Sequence, residues 1–276
     1  MNLGRIGVWT TYRALGEENA AGAATLAEQL GYGTFWLGGS PRLPTVRPLL
    51  EASESLVVGT SIVNVWAYDP ADLAAEYTAL ERDFPGRLMV GIGIGHPEAT
   101  SHYRKPLTAM REFLDGVDAA PEPIPSDRRS LAALGPKMLD LSAERTLGAL
   151  PYFVPVEHTA DARRRLGVGP FLAPEIAVAV EADHRRGRSL AREYAASYLG
   201  LTNYTSNLLR YGFTEDDLRD GGSDRLIDAV VPHGSPEALA AVVRAHLDAG
   251  ADHVAIQAIG EQGVPRRGWA ELAQVV

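Results

Sequence analysis

Two short stretches carry residues whose types and spacing could do chemistry. The first is GIGIGHPE, residues 91–98, where three glycines alternate with isoleucines and lead into His96 and Pro97. A glycine-alternating turn after a strand can cradle a dinucleotide pyrophosphate. It can also be the carboxyl end of a barrel strand, where the backbone must approach a flat ring. The dinucleotide fingerprint G-x-G-x-x-G fails here: counted from Gly91 its third glycine falls on His96, and counted from Gly93 on Glu98. In a barrel, catalytic groups stand where strands end at the carboxyl face. Gly93, Ile94 and Gly95 are then candidates for ring contact, although glycines there can also serve tight strand packing alone. His96, at the strand tip, could donate a proton, hydrogen-bond a ring or cap the next helix.

The second stretch is ALGPKMLDLSAER, residues 133–145. A strand stops at Leu134–Gly135, Pro136 suits a first helical turn, and a helix follows. The amides of such a start and the positive end of its dipole point at one spot. Lys137 is one of only two lysines in the chain, the other being Lys105. It stands in the first turn, where a cation opposes the local dipole; an anion bound by Gly135, Lys137 and Met138 would relieve the conflict. The plain alternative is a solvated lysine on a well-made helix start. Tyr152, at the end of the next strand, could reach the same ligand or be a satisfied core tyrosine.

These groups must be held by a scaffold, and the pattern around them alternates short apolar strands with amphipathic helices. The strand candidates are Arg5–Trp9, Thr34–Leu37, Leu56–Asn64 and Leu88–Ile94, then Leu131–Leu134, Ala149–Val154, Ile176–Val180 and His253–Ala258. They read as continuous apolar runs, which suits a parallel sheet covered by helices. Pro70 and Pro236 suit helix starts, and Gly31 and Gly250 suit helix ends. Eight such units predict a closed (β/α)8 TIM barrel, an α/β fold, within one domain over residues 1–276. Residues 183–234 break the rhythm and read as a helical insertion before the last βα unit, placed to cover the barrel mouth.

With 276 residues, 46% of them hydrophobic, the chain can bury one sizeable core. It has no cysteine, so disulfides, thiolate nucleophiles and cysteine-ligated metal sites are excluded. A formal charge of −9 argues against nucleic acid as a partner. The amino terminus has no apolar signal core and no run approaches a membrane span, so a soluble, cytoplasmic protein without membrane partners is expected. No H-E-x-x-H pair, G-x-S-x-G elbow or P-loop is present, and no metal is expected.

VVGTSIVNVWAYDPADLAAEYTALERDFPGRLMVGIGIGHPE, residues 57–98, resembles the bacterial-luciferase-like oxidoreductases, and within them the deazaflavin branch that uses coenzyme F420. LAALGPKMLDLSAERTLGALPYFVPVEHT, residues 131–159, is similar to the same family's second signature. The resemblance implies a TIM-type barrel holding a flavin or deazaflavin at its carboxyl face. It further implies a bulge with a non-prolyl cis peptide behind the ring, which falls on Ser61–Ile62 with Asn64 close by, and a phosphate site over Leu134–Met138. Members often pair as homodimers.

The match departs at the reacting groups. Sugar-phosphate-oxidising members carry an acid–histidine pair after the second strand and a glutamate after the fourth. Here Gly39 and Ser40 occupy the first positions and His96 the last. What the resemblance implies is therefore hydride transfer to or from an unidentified small-molecule substrate, with His96 as the candidate proton donor. Trp9, Trp36, Trp66 and Tyr68, near strand ends, could wall an apolar substrate cavity or pack the core. Tyr204 of the insertion could face the mouth. The run Arg163–Arg165 reads as a solvated helix face that could also meet an anionic tail. FMN in place of F420, with monooxygenase chemistry, and a non-catalytic cofactor-binding protein are the two rival readings.

Overall fold

Prolines and buried apolar runs set the strand boundaries. In the computed structural model, which describes residues 1–101 and 103–276, the strands are β1 Ile6–Thr11, β2 Thr34–Gly38, β3 Val57–Asn64, β4 Leu88–Gly93, β5 Arg129–Leu131, β6 Gly148–Ala149, β7 Phe171–Leu172, β8 Glu175–Val180, β9 His233–Gly234 and β10 Val254–Ile259. Every residue of β2, β4 and β8 is buried. That is the signature of strands covered on both faces, and all the ladders are parallel.

The strands run in the order β7-β6-β5-β4-β3-β2-β1-β10-β8-β9. β7 and β8 are two halves of one strand, interrupted at Pro174, which has no N–H to give to a ladder. The first half pairs with β6 and the second with β10. An isolated parallel bridge between Tyr152 and Glu175 joins the two ends. The sheet thereby closes into an eight-membered α/β barrel, with β9 appended to β8, and the predicted TIM-barrel class holds. Two predicted strands are shorter than expected. The fifth stops at Leu131 and the sixth at Ala149, because the chain turns away at each toward Pro136 and Pro151.

Helices cover the outside. Asp69 accepts a hydrogen bond from the Ala71 N–H ahead of the helix Pro70–Asp83, and Ser235 caps Pro236–Asp248 in the same way. Residues 183–234 fold into the helices His184–Leu199, Thr202–Arg210, Glu215–Leu218 and Asp224–Val230 before β9. Trp36, Val57, Met89 and Ala255 pack together inside the barrel, with Trp9 and Leu150 joining them from the cavity side. The upper end stays open. Among the described residues, no helix is long and apolar enough to cross a membrane.

Candidate active site

Above that filled interior, the carboxyl ends of the strands enclose a cavity of about 890 Å³. Its floor is made by β3. The β3–β4 register shifts between Thr60 and Val63, and the Ser61–Ile62 peptide in that bulge is cis. Ser61 and Ile62 both line the cavity. The glycines of β4 explain how the bulge fits. A Cβ on Gly93 would stand 2.5 Å from Cγ1 of Ile62. Gly93 therefore makes room for the isoleucine and does not line the cavity, contrary to the expectation that it touches a ring. Ile94, Gly95 and His96 do line it, with Gly95 at φ +64°, where only glycine is unstrained.

Asn64 also departs from expectation. Its Oδ1 accepts from the Trp66 N–H at 3.0 Å, and its amide lies against Gly95. Trp66 donates its indole N–H to the Ile94 carbonyl at 2.7 Å. Both residues brace the end of β4 from behind, and neither lines the cavity. Trp66 reaches it only through Tyr103, its ring neighbour at 5.9 Å.

The other two candidate tryptophans separate cleanly. Trp9 lines the cavity, its ring stacked on Tyr152 at 5.7 Å and 12°. Trp36 is completely buried below the floor, and its indole N–H donates to Nε2 of His253 at 3.0 Å. The other ring nitrogen of His253 meets the Gly4 carbonyl at 2.9 Å. Trp36 is thus a core pin and not a substrate wall, and the same holds for Tyr68, whose hydroxyl is used by Glu76 and the Leu43 amide. Tryptophan is buried too often for its type to have distinguished these cases.

The wall facing the floor comes largely from the insertion. Tyr204 and Tyr198 line the cavity beside Tyr152, with ring centroids 5.2–5.9 Å apart. The Tyr152 hydroxyl is shared with Tyr194 and with the side-chain carbonyl of Gln257, so its polar end is satisfied inside the protein. Burial pushes Tyr152, Tyr194 and Tyr204 well above the ordinary phenol range, and all three are neutral. His96 packs on Tyr204 at 4.8 Å. The amide nitrogen of Asn203 stands 3.4 Å from His96 Nδ1 and donates to the Gly95 carbonyl at 3.0 Å. An amide donor facing Nδ1 puts the imidazole proton on Nε2. Burial holds the ring below its usual pKa, hence neutral at pH 7.

At the other end lies the helix start. Gly135 precedes the helix Pro136–Arg145 and no side chain caps it. Met138 and Leu139 donate to the Gly135 carbonyl, and Pro136 has no N–H, so the Lys137 amide is the donor left over among the described residues. Three cations surround this point. Lys137 is exposed in the first turn. Arg210, from the end of the insertion helix Thr202–Arg210, brings its guanidinium beside Gly135; a Cβ there would lie 3.4 Å from Nη1. Arg165 donates to the Pro136 carbonyl at 2.9 Å and pairs with Asp140 at 2.6 Å. Leu134, Pro136 and Met138 line the cavity alongside them. Arg165 was legible as part of a basic run, whereas Arg210 carried no local signal, since it arrives from 73 positions beyond Lys137 in the chain.

One group was missed altogether. Glu175, at the start of β8, is 3% exposed and lines the cavity floor. Ser61 Oγ donates to its carboxyl. In the sequence it reads as the polar residue that opens an apolar strand. Gly39 and Ser40 also line the cavity, with positive φ at both, so the carboxyl end of β2 supplies no acid or imidazole. An apolar, ring-sized floor joined to a cationic helix start fits a flat heterocycle with an anionic tail.

Residues 3–120 match the family model of the luciferase-like monooxygenases, and the resemblance read from the sequence stands. Solved structures of similar fold span nearly the whole chain. An F420-dependent secondary alcohol dehydrogenase in complex with an F420–acetone adduct superposes with a TM-score of 0.77 at 14% identity, covering 99% of this chain and 98% of its own. The coenzyme F420-dependent tetrahydromethanopterin reductase from Methanopyrus kandleri gives 0.73 at 14%, with the same coverage. The oxygenating constituent of 3,6-diketocamphane monooxygenase from Pseudomonas putida, in complex with FMN, gives 0.66 at 13%, over 99% and 96%. No curated protein sequence matches the chain. The family match covers residues 3–120 of the 276, and the similar structures share the barrel fold over nearly the whole chain.

Proposed function

We propose that the chain is an F420-dependent oxidoreductase that transfers a hydride between the deazaflavin and a small organic substrate. The observation that carries this reading is the continuity of one cavity from the Ser61–Ile62 floor to the three cations at the Pro136 helix start. Ser61, Ile62, Ile94 and Gly95 would support the ring. The Lys137 amide, Lys137, Arg210 and Arg165 would hold the tail. A deazaflavin supplies hydride chemistry at its ring, and what the protein supplies is positioning, itself a large share of the rate. Lys137 and Arg210 are exposed, with no ion-pair partner among the described residues, and Arg165, paired with Asp140, extends the basic surface beyond them. A run of cations along one edge suits a longer anionic tail and favours F420 over FMN. Two of the similar structures named above are F420 enzymes.

The substrate would lie between the ring and the wall of Trp9, Tyr198 and Tyr204, an uncharged surface suited to an apolar or weakly polar compound. His96 would present its Nε2–H to a substrate heteroatom. As a neutral imidazole it orients and polarises that atom.

The test is a fluorescence titration of the purified chain with F420 and, separately, with FMN. Micromolar or tighter binding of F420 and weaker binding of FMN is the expected result. Preference for FMN would transfer the reading to flavin monooxygenase chemistry. Binding of F420 without turnover over a broad panel of alcohols and ketones would make the chain a cofactor-binding protein.

A further inference from the structure

The reacting end of the cavity lacks an obvious source of protons. β2 ends in Gly39 and Ser40, and His96 is a neutral imidazole, a poor acid. Yet a carboxyl group is present, supplied from the opposite side of the barrel. We propose that Glu175 is the proton-bearing residue of this site, a neutral carboxylic acid that exchanges its proton with the bound substrate through the Ser61 hydroxyl. The proposal rests on the oxidoreductase reading above.

The geometry is specific. Glu175 opens β8, its backbone N–H donates to the Pro151 carbonyl at 2.9 Å, and its bridge to Tyr152 closes the barrel. The carboxyl therefore sits on a rigid strand. Both it and Ser61 line the cavity, and Ser61 is in the cis bulge that forms the floor. A carboxyl built only for packing would find a cation or several amides. The groups facing Glu175 are Ser61 from β3, the indole N–H of Trp9 from β1 and Tyr204 from the insertion helix. None of them carries a charge. Burial raises its pKa to about 8, and the Ser61 hydrogen bond recovers only part of the cost of desolvation. A carboxyl kept neutral at pH 7 in a cavity that also holds a hydroxyl relay is placed for general acid work.

The step balances as follows. In a reduction, a bound reduced deazaflavin would supply the hydride with its electron pair to the substrate carbon, and the C=O π pair would move onto the substrate oxygen. With Glu175 protonated, the Ser61 hydroxyl turns from donating to the carboxyl to accepting its proton, so that the substrate oxygen would take the Ser61 hydroxyl proton while Ser61 takes the Glu175 proton in turn. The proton released when the cofactor is oxidised would restore the Glu175 acid through solvent, so the overall step balances. Oxidation of an alcohol runs the same path backward.

Two measurements on the whole chain decide the matter, using wild type, Glu175→Gln and Ser61→Ala. Infrared spectroscopy of the protein without added ligand should show a protonated-carboxyl band at pH 7 that is absent in E175Q, persists at a shifted position in S61A, and disappears as pH rises through about 8. F420 affinity is then measured from pH 6 to 10. A ring laid over the floor disfavours the ionised carboxylate further, so wild-type Kd should rise by up to about tenfold per pH unit above the acid's pKa. E175Q should lack that added slope, and comparison of the two proteins cancels titration of the ligand itself. No band at pH 7, or the same pH slope in both proteins, overturns the assignment. Failure of both proteins to bind F420 or FMN, with the band present, refutes the cofactor reading instead and removes the role while leaving the acid.

Discussion

The cationic helix start makes a prediction that can be worked in numbers. Lys137 and Arg210 are both exposed, and neither has an ion-pair or hydrogen-bond partner among the described residues. Their worth to a bound phosphate must therefore be judged near the solvent end of the scale. Two unit charges 4 Å apart interact by about 1 kcal/mol in water and about 4 kcal/mol at an effective dielectric of 20. Exposed pairs fall toward the lower value because water and salt screen them. We expect each of Lys137→Ala and Arg210→Ala to cost roughly 1 kcal/mol, about a fivefold rise in F420 Kd. The double variant should lose about 2 kcal/mol, near thirtyfold, unless the two cations share one phosphate oxygen. Fluorescence titration at two ionic strengths gives the assay. Wild-type affinity should fall as salt is raised, and the double variant should respond much less. Arg244→Ala, a cation outside the cavity, is the control. A double variant within about twofold of wild type, with the same salt response, would refute the anion site and remove the main argument for a polyanionic tail.

Trp36→Phe should leave cofactor affinity within about twofold but lower stability by about 1–3 kcal/mol, because the buried Nε2 of His253 loses the indole N–H that donates to it; thermal unfolding and the same titration separate the two effects. Acid should unfold the chain through its buried histidines: His158, His246 and His253 are held at about 4 in the fold, below the ordinary value of 6.5, by burial. The unfolded chain binds their protons first, so their contribution is complete above pH 6.5 and is lost as pH falls from there toward 4. Glu175, raised from 4.5 to about 8, runs the opposite way and offsets one of the three, so a urea-midpoint series should still fall toward acid, and a flat midpoint would contradict it.

Much of the barrel could be read from composition and period, because a covered parallel strand has no choice but to be apolar along its whole length. Leu88–Gly93 announces itself that way, and Val57–Asn64 does so apart from Thr60, Ser61 and Asn64. The helix start at Pro136 was equally legible, since proline, a preceding glycine and a lysine in the first turn each follow from local backbone chemistry. Where the reading failed, the deciding contact came from a distant segment. Nothing local distinguishes Trp9, which walls the cavity, from Trp36, which pins His253; both are tryptophans in a strand, and the pleat and the barrel closure sort them. Gly93 looked like a place for a ring to approach, and its free side is filled by Ile62 of the neighbouring strand.

The insertion shows why the site itself was only half legible. Its helix Thr202–Arg210 carries Asn203 to the Gly95 carbonyl, Tyr204 to His96 and Arg210 to Gly135. Glu98, just past the glycine stretch, accepts from both the N–H and the hydroxyl of Thr202, at 3.0 and 2.6 Å, and so anchors the first turn of that helix. One helix thus spans the ring end and the anion end of the same cavity, and its register is fixed by a carboxylate belonging to the barrel. Loss of the Glu98 carboxylate would free the helix start and, with it, the positions of Asn203, Tyr204 and Arg210 together. A residue outside the cavity, reading as an ordinary acid in a short turn, is thus bonded to the helix that supplies side chains to both halves of the site. That coupling exists only in three dimensions, because Glu98 and Thr202 are 104 residues apart.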